Sequence, residues 1–97
     1  MQLDLYRVFY VTAMEKNFSK AAKKLYITQP SVSHAIKQLE ESLGIQLFVR
    51  TSKGVTLTQE GETLFRYISP ALGLIDTAEQ KISELKNLKK WSCFNWW

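Results

Sequence analysis

One stretch of the chain, residues 17–61, decides the fold: NFSKAAKKLYITQPSVSHAIKQLEESLGIQLFVRTSKGVTLTQEG. In its first part the apolar residues recur at the three- and four-residue spacing of amphipathic helices. After Gly44 the pattern changes to short runs rich in β-branched and aromatic residues, with a glycine between them. The stretch therefore predicts two helices followed by a β-hairpin.

The clearest helix is PSVSHAIKQLEESLG, residues 30–44. It opens at the Thr28-Gln29-Pro30 step, because the amide hydrogen that proline lacks would be unpaired in the first turn anyway. It ends at Gly44, since glycine adopts the left-handed C-cap conformation at little cost. Its apolar side chains share one face of a helical wheel, which we expect to be buried. They are Val32, Ala35, Ile36, Leu39 and Leu43.

Two helices are predicted before this one. The first lies within residues 3–14 and ends at Asn17-Phe18. The second, SKAAKKLY, has Ser19 as its predicted N-cap, because a serine hydroxyl accepts a hydrogen bond from an unpaired amide of the first turn. The residues expected to be buried are Leu5, Val8, Phe9, Thr12 and Ala13 in the first helix and Ala21, Ala22 and Leu25 in the second.

The β-hairpin is predicted from Leu47–Arg50 and Val55–Leu57, which flank the glycine-containing turn Thr51–Gly54. An isolated hairpin is marginal in water, so it must pack on the helices. Thr58 then suits the N-cap of a long last helix.

The last helix carries a heptad seam, with spacings that alternate between four and three residues. The seam consists of Leu64, Ile68, Ala71, Ile75, Ala78, Ile82 and Leu85. Because so short a chain offers the seam no other partner, we expect two copies of the helix to pair as a homodimer. Pro70 removes a backbone hydrogen bond and should bend the helix near Ser69.

These elements predict a mainly α fold in three parts. Residues 1–58 form a winged helix-turn-helix domain of three helices and a β-hairpin wing, and residues 59–90 form a linker and dimerisation helix. Residues 91–97 contain all three tryptophans and lack periodicity. We expect them to be a non-native or truncation tail, and the alternative is a hydrophobic docking patch.

Positive charge is concentrated in the predicted winged domain. The chain has a net charge of +4, and residues 1–58 contain eight Lys or Arg against four Asp or Glu. This balance favours a polyanionic partner, although a charge of this size also serves solubility in many proteins.

Other function classes fit the sequence poorly. No apolar run is long enough to span a membrane, so we expect no membrane partner. The single cysteine has no metal ligands at useful spacing, which argues against a metal site and indicates a reducing compartment. The sequence has a single histidine, and it has neither a glycine-rich phosphate loop nor a nucleophile–base pair. These features argue against an enzyme and against a cofactor.

The free face of the helix over residues 30–44 has the chemistry that double-stranded DNA requires. A helix fits the major groove, where short polar side chains approach base edges while cations bind phosphates. A positively charged side chain on the hairpin can contact the adjacent DNA backbone or the minor groove. The candidates are Gln29, Ser31, Ser33, His34 and Lys37 on the helix, Arg50 and Lys53 on the hairpin, and Lys20, Lys23 and Lys24 on the second helix.

Each candidate also has a simpler interpretation. Ser31 and Ser33 favour helix starts, and the lysines of the second helix serve solubility in many proteins. His34 can be a solvated surface side chain, and Lys37 can pair with Glu41 one turn later. Only the joint placement of these residues favours DNA binding.

The same stretch resembles the N-terminal DNA-binding region of LysR-type transcriptional regulators, and the resemblance extends from about Leu3 to Leu88. The residues that carry it are Ala21-Ala22, Leu25, Thr28-Gln29-Pro30-Ser31, Ser33, Ile36, Leu39-Glu40, Leu43-Gly44, Leu47-Phe48, Arg50, Leu57-Thr58 and Gly61. The resemblance implies a sequence-specific regulator that acts in the bacterial cytoplasm, associated with the nucleoid when it is bound to DNA. It also implies a homodimer on an operator with inverted repeats.

The resemblance adds Pro30 to the recognition-helix contacts and makes Arg50 the wing contact. His34 stands where many members carry arginine, and a neutral histidine offers one donor and one acceptor. The full set of predicted DNA-binding residues is Ser19, Lys20, Gln29, Pro30, Ser31, Ser33, His34, Lys37, Arg50, Thr51 and Lys53.

Members of the resembled family are much longer and carry a domain that senses a small molecule. We therefore expect this chain to be a fragment, and an effector to act only through a domain that it lacks. The alternative function is a helical dimerisation or protein-interaction module, in which the heptad seam binds a partner helix without DNA.

Overall fold

Within the described residues the chain forms four helices and one β-hairpin. The computed structural model describes the backbone of residues 3–96 and the side chains of residues 3–87. The elements are α1 (Leu3–Glu15), α2 (Phe18–Leu25), α3 (Gln29–Leu43), β1 (Phe48–Thr51), β2 (Gly54–Leu57) and α4 (Gln59–Trp96). The predicted mainly α winged helix-turn-helix with a long C-terminal helix is confirmed.

The core lies where the first three helices meet the hairpin. Phe9 of α1 is fully buried, and its ring centroid lies 5.5 Å from that of Phe48 in β1 and 6.5 Å from that of Phe65 in α4. The predicted buried faces of α1 and α3 are confirmed except at Leu5, which is half-buried, and at Leu43, which is 40% exposed. In α2, Ala21 and Ala22 are buried as predicted, whereas Leu25 is half-buried. Leu43 is the last residue of α3, and it lines an open apolar groove together with Tyr67 of α4.

The junction between α1 and α2 differs from the prediction. Lys16 follows the end of α1 in a left-handed conformation, with φ of 57°. Asn17 is the N-cap of α2, and its side-chain oxygen accepts a hydrogen bond from the Lys20 amide at 2.9 Å. The prediction of Ser19 as the cap was wrong, because the asparagine two residues earlier caps as well as serine does and starts the helix at Phe18.

Both predicted ends of α3 are confirmed. Thr28 is its N-cap and accepts a hydrogen bond from the Ser31 amide at 3.2 Å, and Pro30 lies in the first turn. Gly44 is the C-cap in a left-handed conformation with φ of 72°. The turn between α2 and α3 is therefore only three residues long, over 26–28.

The wing is a two-stranded antiparallel hairpin in which Phe48 pairs with Leu57 and Thr51 pairs with Gly54. Thr51 and Gly54, predicted in the turn, belong to the strands because they close the ladder, and β1 begins one residue later than predicted. The connecting turn is Ser52-Lys53.

Two contacts attach the wing to the helices. At one end of the hairpin the amide of Val55 donates to the carbonyl of Lys16 at 3.1 Å, and Gly54 packs so closely on that carbonyl that a side chain could not fit. At the other end the carboxylate of Glu40 in α3 accepts hydrogen bonds from the Leu47 amide at 2.7 Å and from the next amide at 3.4 Å. The wing is thus tied both to the α1–α2 junction and to α3.

The long helix α4 begins as predicted, with the Thr58 hydroxyl accepting a hydrogen bond from the Gly61 amide at 2.9 Å. It runs through Pro70 to Trp96, six residues beyond the predicted boundary at residue 90. The bend near Ser69 stays a prediction, and the interpretation of the tryptophan tail concerns side chains outside the described residues. In the part of the chain that the structure describes, no helix is both long enough and apolar enough to cross a membrane.

The first half of α4 packs on the winged domain, residues 3–57. Leu72 is only 4% exposed, although it lies off the predicted seam. Leu64 and Ile68 of the seam pack in part against the core, so the expectation that they have no partner within the chain was wrong. Arg7 of α1 adds an ion pair to Asp76 at 3.1 Å.

Candidate nucleic-acid interface

One polar surface runs from the N-terminal ends of α2 and α3 across to the wing. It has two adjoining hollows that share Phe18 and Arg50. The first hollow lies between the helix ends and the hairpin turn, and Gln29 and Lys53 line it. The second lies between α3 and β1. We call this the α3–wing surface, and its predicted DNA-binding members are Ser19, Gln29, Ser33, Lys37, Arg50, Thr51 and Lys53.

Gln29 is the first residue of α3, and a contact from α2 holds it in place. The Ser19 hydroxyl donates a hydrogen bond to Oε1 of Gln29 at 3.1 Å. Both residues are exposed, so the amide group of Gln29 remains accessible to a ligand in the hollow. Ser19 therefore contributes by orienting Gln29 rather than by capping α2.

Arg50 lies on the wing at the boundary between the two hollows. Its guanidinium carbon is 4.7 Å from the ring centroid of Phe18, which is the geometry of a cation–π contact. The side chain is exposed, so its hydrogen-bond donors face solvent while one face of the group rests on the ring.

The second hollow presents one face of α3 to the wing. Ser33 and Lys37 are spaced four residues apart on the same side of the helix, and they line the hollow together with Arg50. Ser33 is half-buried, whereas Lys37 is exposed. Together with Gln29, one turn earlier, they form a row of polar side chains along α3.

The tip of the wing is ordered by Thr51. Its hydroxyl donates to the carbonyl of Gly54 at 3.2 Å and accepts from the amide of Lys53 at 3.3 Å. These bonds are local, so Thr51 shapes the turn while Lys53 extends an exposed ammonium group from it.

The other predicted residues lie outside the two hollows. Pro30, Ser31 and His34 are exposed on α3 but line neither hollow. Ser31 instead shares a hydrogen bond of 2.8 Å with the Thr28 hydroxyl, in keeping with its simpler interpretation as part of the helix start. Lys20 is exposed near the start of α2.

Three residues that line the first hollow are not among the predicted site residues, namely Phe18, Asn17 and Ser52. The sequence pattern places Asn17-Phe18 at the end of the first helix. The position of Phe18 one residue after an asparagine N-cap would have placed it at the start of α2. Contact with Arg50 depends on the tertiary position of the wing, which local sequence does not encode.

The predicted dimerisation residues divide into two groups. Leu64, Ile68, Ala71 and Ile75 are half-buried, whereas Ala78, Ile82 and Leu85 are exposed. The exposed group leaves an apolar strip along the second half of α4, with Ile82 64% exposed.

Comparison with known proteins identifies the family. The model of the bacterial regulatory helix-turn-helix protein, lysR family, matches residues 3–62, which cover the winged domain and the start of α4. The chain belongs to this family.

Curated relatives of the LysR-family chain are transcriptional regulators. A probable RuBisCO transcriptional regulator of Guillardia theta is 42% identical over 87 residues, which cover 90% of this chain and 28% of the relative. The HTH-type transcriptional regulator DsdC of Escherichia coli strain K12 is 43% identical over 86 residues, covering 89% of this chain and 27% of the relative. The LysR-family chain thus spans little more than a quarter of the length of these two relatives.

Solved structures share the fold of the LysR-family chain. The DNA-binding domain of BenM in complex with catB site 1 DNA is 40% identical, with a TM-score of 0.75 over 91% of this chain and 94% of that one. DarR of Vibrio fischeri in complex with DNA is 33% identical, with a TM-score of 0.79 over 91% of this chain and 30% of that one. The DNA-binding domain of CbnR in complex with DNA is 26% identical, with a TM-score of 0.77 over 89% of this chain and 99% of that one.

Proposed function

We propose that the chain is a sequence-specific double-stranded DNA-binding module of a LysR-type transcriptional regulator. Helix α3 enters the major groove with its N-terminal end foremost, and the wing lies on the adjacent backbone or minor groove. Gln29 and Ser33 contact base edges, while Lys20, Lys37 and Lys53 contact phosphates.

The observation that carries this proposal is the polar row on α3 beside the wing arginine. Gln29, Ser33 and Lys37 face the same surface as Arg50, while the apolar face of α3 is buried in the core. A helix fixed in this way presents amide, hydroxyl and cationic groups together, as base edges and phosphates require. The BenM, DarR and CbnR structures are complexes with DNA, which supports the same use of the shared fold.

We further propose that α4 forms the homodimer. Ile82 and Leu85 are exposed in the second half of the helix, and an open apolar groove that includes Leu43 and Tyr67 lies beside its first turns. Residues 64 and 82 are about 27 Å apart along one helix, so the exposed strip and the groove of one copy cannot contact each other. When two copies of α4 run antiparallel, the strip of one copy lies against the groove of the other. A two-fold dimer then places two recognition helices on an operator with inverted half-sites.

The complete regulator is proposed to extend beyond this chain. The two relatives described above are transcriptional regulators of which this chain matches little more than a quarter. We propose that a small-molecule effector acts through the remainder, as the family resemblance implies. We propose a DNA-binding protein of the bacterial cytoplasm without catalytic activity, cofactor or metal.

Selection of bound sites from random DNA duplexes tests the proposed function. We expect enrichment of an inverted-repeat sequence, and binding to it that weakens steeply with salt because bound cations release counterions from DNA. A helical interaction module without DNA readout would enrich no sequence and would dimerise with little dependence on salt. That outcome would contradict the proposal.

A further inference from the structure

The contact between Phe18 and Arg50 joins two elements that are far apart in sequence. Phe18 opens α2, directly after its N-cap, whereas Arg50 lies in the middle of β1. The guanidinium carbon lies 4.7 Å from the ring centroid, close enough for attraction between the cation and the face of the ring. An exposed arginine without such a contact would sample several rotamers.

The wing explains why the ring and the cation meet. Successive side chains of a strand point to opposite faces, so Phe48 and Arg50 emerge on the same face of β1. The ring of Phe18 touches both of them. It meets the ring of Phe48 edge-on, with centroids 6.1 Å apart and planes at 87°, and it offers its face to Arg50.

The ring of Phe18 is itself held firmly. Phe48 is 6% exposed and packs on the fully buried Phe9, so the edge-on contact fixes Phe18 against the core. The backbone of Phe18 is fixed by the Asn17 cap at the start of α2. Phe18 is half-buried, with one side against the core and the other against the exposed arginine.

We propose that Phe18 is a positioning residue for DNA recognition: its ring holds the Arg50 guanidinium at the boundary between the two hollows of the α3–wing surface. This inference rests on the proposed function, because it assigns Arg50 to DNA. Phe18 acts through Arg50 and needs no DNA contact of its own. Holding the guanidinium before binding removes part of the entropy cost of ordering it on DNA.

A double-mutant cycle tests the proposal on a selected operator duplex. Phe18→Leu keeps an apolar side chain but removes the aromatic face, and we expect operator affinity to fall by about two- to five-fold. In an Arg50→Ala background the same substitution should have no further effect, because the cation it positions is absent. Phe18→Tyr retains the ring and should bind as the native chain does. Thermal unfolding of each variant verifies that it is folded.

The results separate this proposal from the proposed function. If Phe18→Leu weakens binding equally with and without Arg50, the ring acts only on the fold and the positioning role is wrong. If Arg50→Ala leaves affinity unchanged while Gln29→Ala lowers it, DNA recognition stands and the positioning role fails. If no operator sequence is selected, or if neither Arg50→Ala nor Gln29→Ala lowers operator affinity, the proposed function itself fails.

Nuclear magnetic resonance of the free protein supplies a readout that needs no DNA. The side-chain δ protons of Arg50 should be shifted upfield by the ring current in the native chain and in Phe18→Tyr, and this shift should disappear in Phe18→Leu. Arg50 δ protons at random-coil positions in the native chain would overturn the proposal.

Discussion

Leucine side chains have opposite surroundings in the two parts of the chain. In the winged domain, Leu39 and Leu47 are 2% and 0% exposed. In α4, Leu74 and Leu85 are 70% and 52% exposed. The winged domain therefore completes its own core and keeps its polar surface free for a ligand. Helix α4 leaves apolar surface at Leu74, Ile82 and Leu85 that the other described side chains do not cover.

The largest expected effect comes from the exposed strip of α4. Replacing Ile82 and Leu85 together by glutamate should give a monomer in analytical ultracentrifugation, because burial of the two charges at the seam is unfavourable. Affinity for an inverted-repeat operator should fall by about 10²- to 10⁴-fold as the second half-site contact is lost. The winged domain should keep its fold.

A matched variant controls for charge alone. Ser83 and Asn87 are exposed on α4 but lie off the seam, so their double replacement by glutamate adds the same charge without touching it. The seam assignment would be contradicted if the Ile82→Glu, Leu85→Glu variant remained a dimer. It would also be contradicted if the Ser83→Glu, Asn87→Glu control became a monomer.

A pair of leucine truncations compares the two parts directly. Leu39→Ala should lower the free energy of unfolding by about 2–5 kcal/mol, because it leaves a cavity in the core. Leu74→Ala should change it by less than about 0.5 kcal/mol, since the side chain is already exposed. Urea denaturation measures both. A comparable loss at Leu74 would indicate that this side of α4 is also covered by another chain.

One of the two attachments of the wing is formed by the carboxylate of Glu40. Glu40→Ala leaves the amide of fully buried Leu47 without its acceptor and should cost about 1–3 kcal/mol of unfolding free energy. Glu41→Ala, at the next and exposed position, should cost little and serves as the control in the same urea denaturation. Equal effects of the two substitutions would show that the hydrogen bonds of Glu40 do not stabilise the wing.

The smallest expected effect is on salt dependence. Lys20→Ala should weaken operator and random duplex alike and lower the slope of log affinity against log salt by about one unit, as expected for one lost phosphate contact. Lys81→Ala removes an exposed lysine from α4 and should leave the slope unchanged. Fluorescence anisotropy at several salt concentrations measures both. An unchanged slope in Lys20→Ala would remove Lys20 from the interface.

Local signals predicted the elements of the fold well. Thr28 and Gly44 cap the two ends of α3 as expected, and Thr58 caps the start of α4. These ends were predictable because capping depends on residues within one turn of the helix end. The start of α2 was misplaced because both Asn17 and Ser19 are good caps, and only the tertiary structure distinguishes them.

The candidate site was predicted less completely, because it depends on contacts between distant elements. The polar row of Gln29, Ser33 and Lys37 follows from helical periodicity alone. The contact of Phe18 with Arg50 depends on how the wing packs. The burial of Leu72 is likewise set by tertiary packing, which a heptad pattern in one helix cannot reveal.

The role of α3 as the sequence-reading helix is tested most directly by the ratio of operator affinity to random-duplex affinity in Gln29→Ala. Gln29 starts α3 within the α3–wing surface, whereas Gln38 is exposed further along the same helix and lines neither hollow. Gln29→Ala should cost about 1–3 kcal/mol on the operator and little on random DNA, because a lost base contact affects only the preferred sequence. Gln38→Ala should leave the ratio unchanged. Equal weakening of both duplexes by Gln29→Ala would contradict base reading by the N-terminal end of α3.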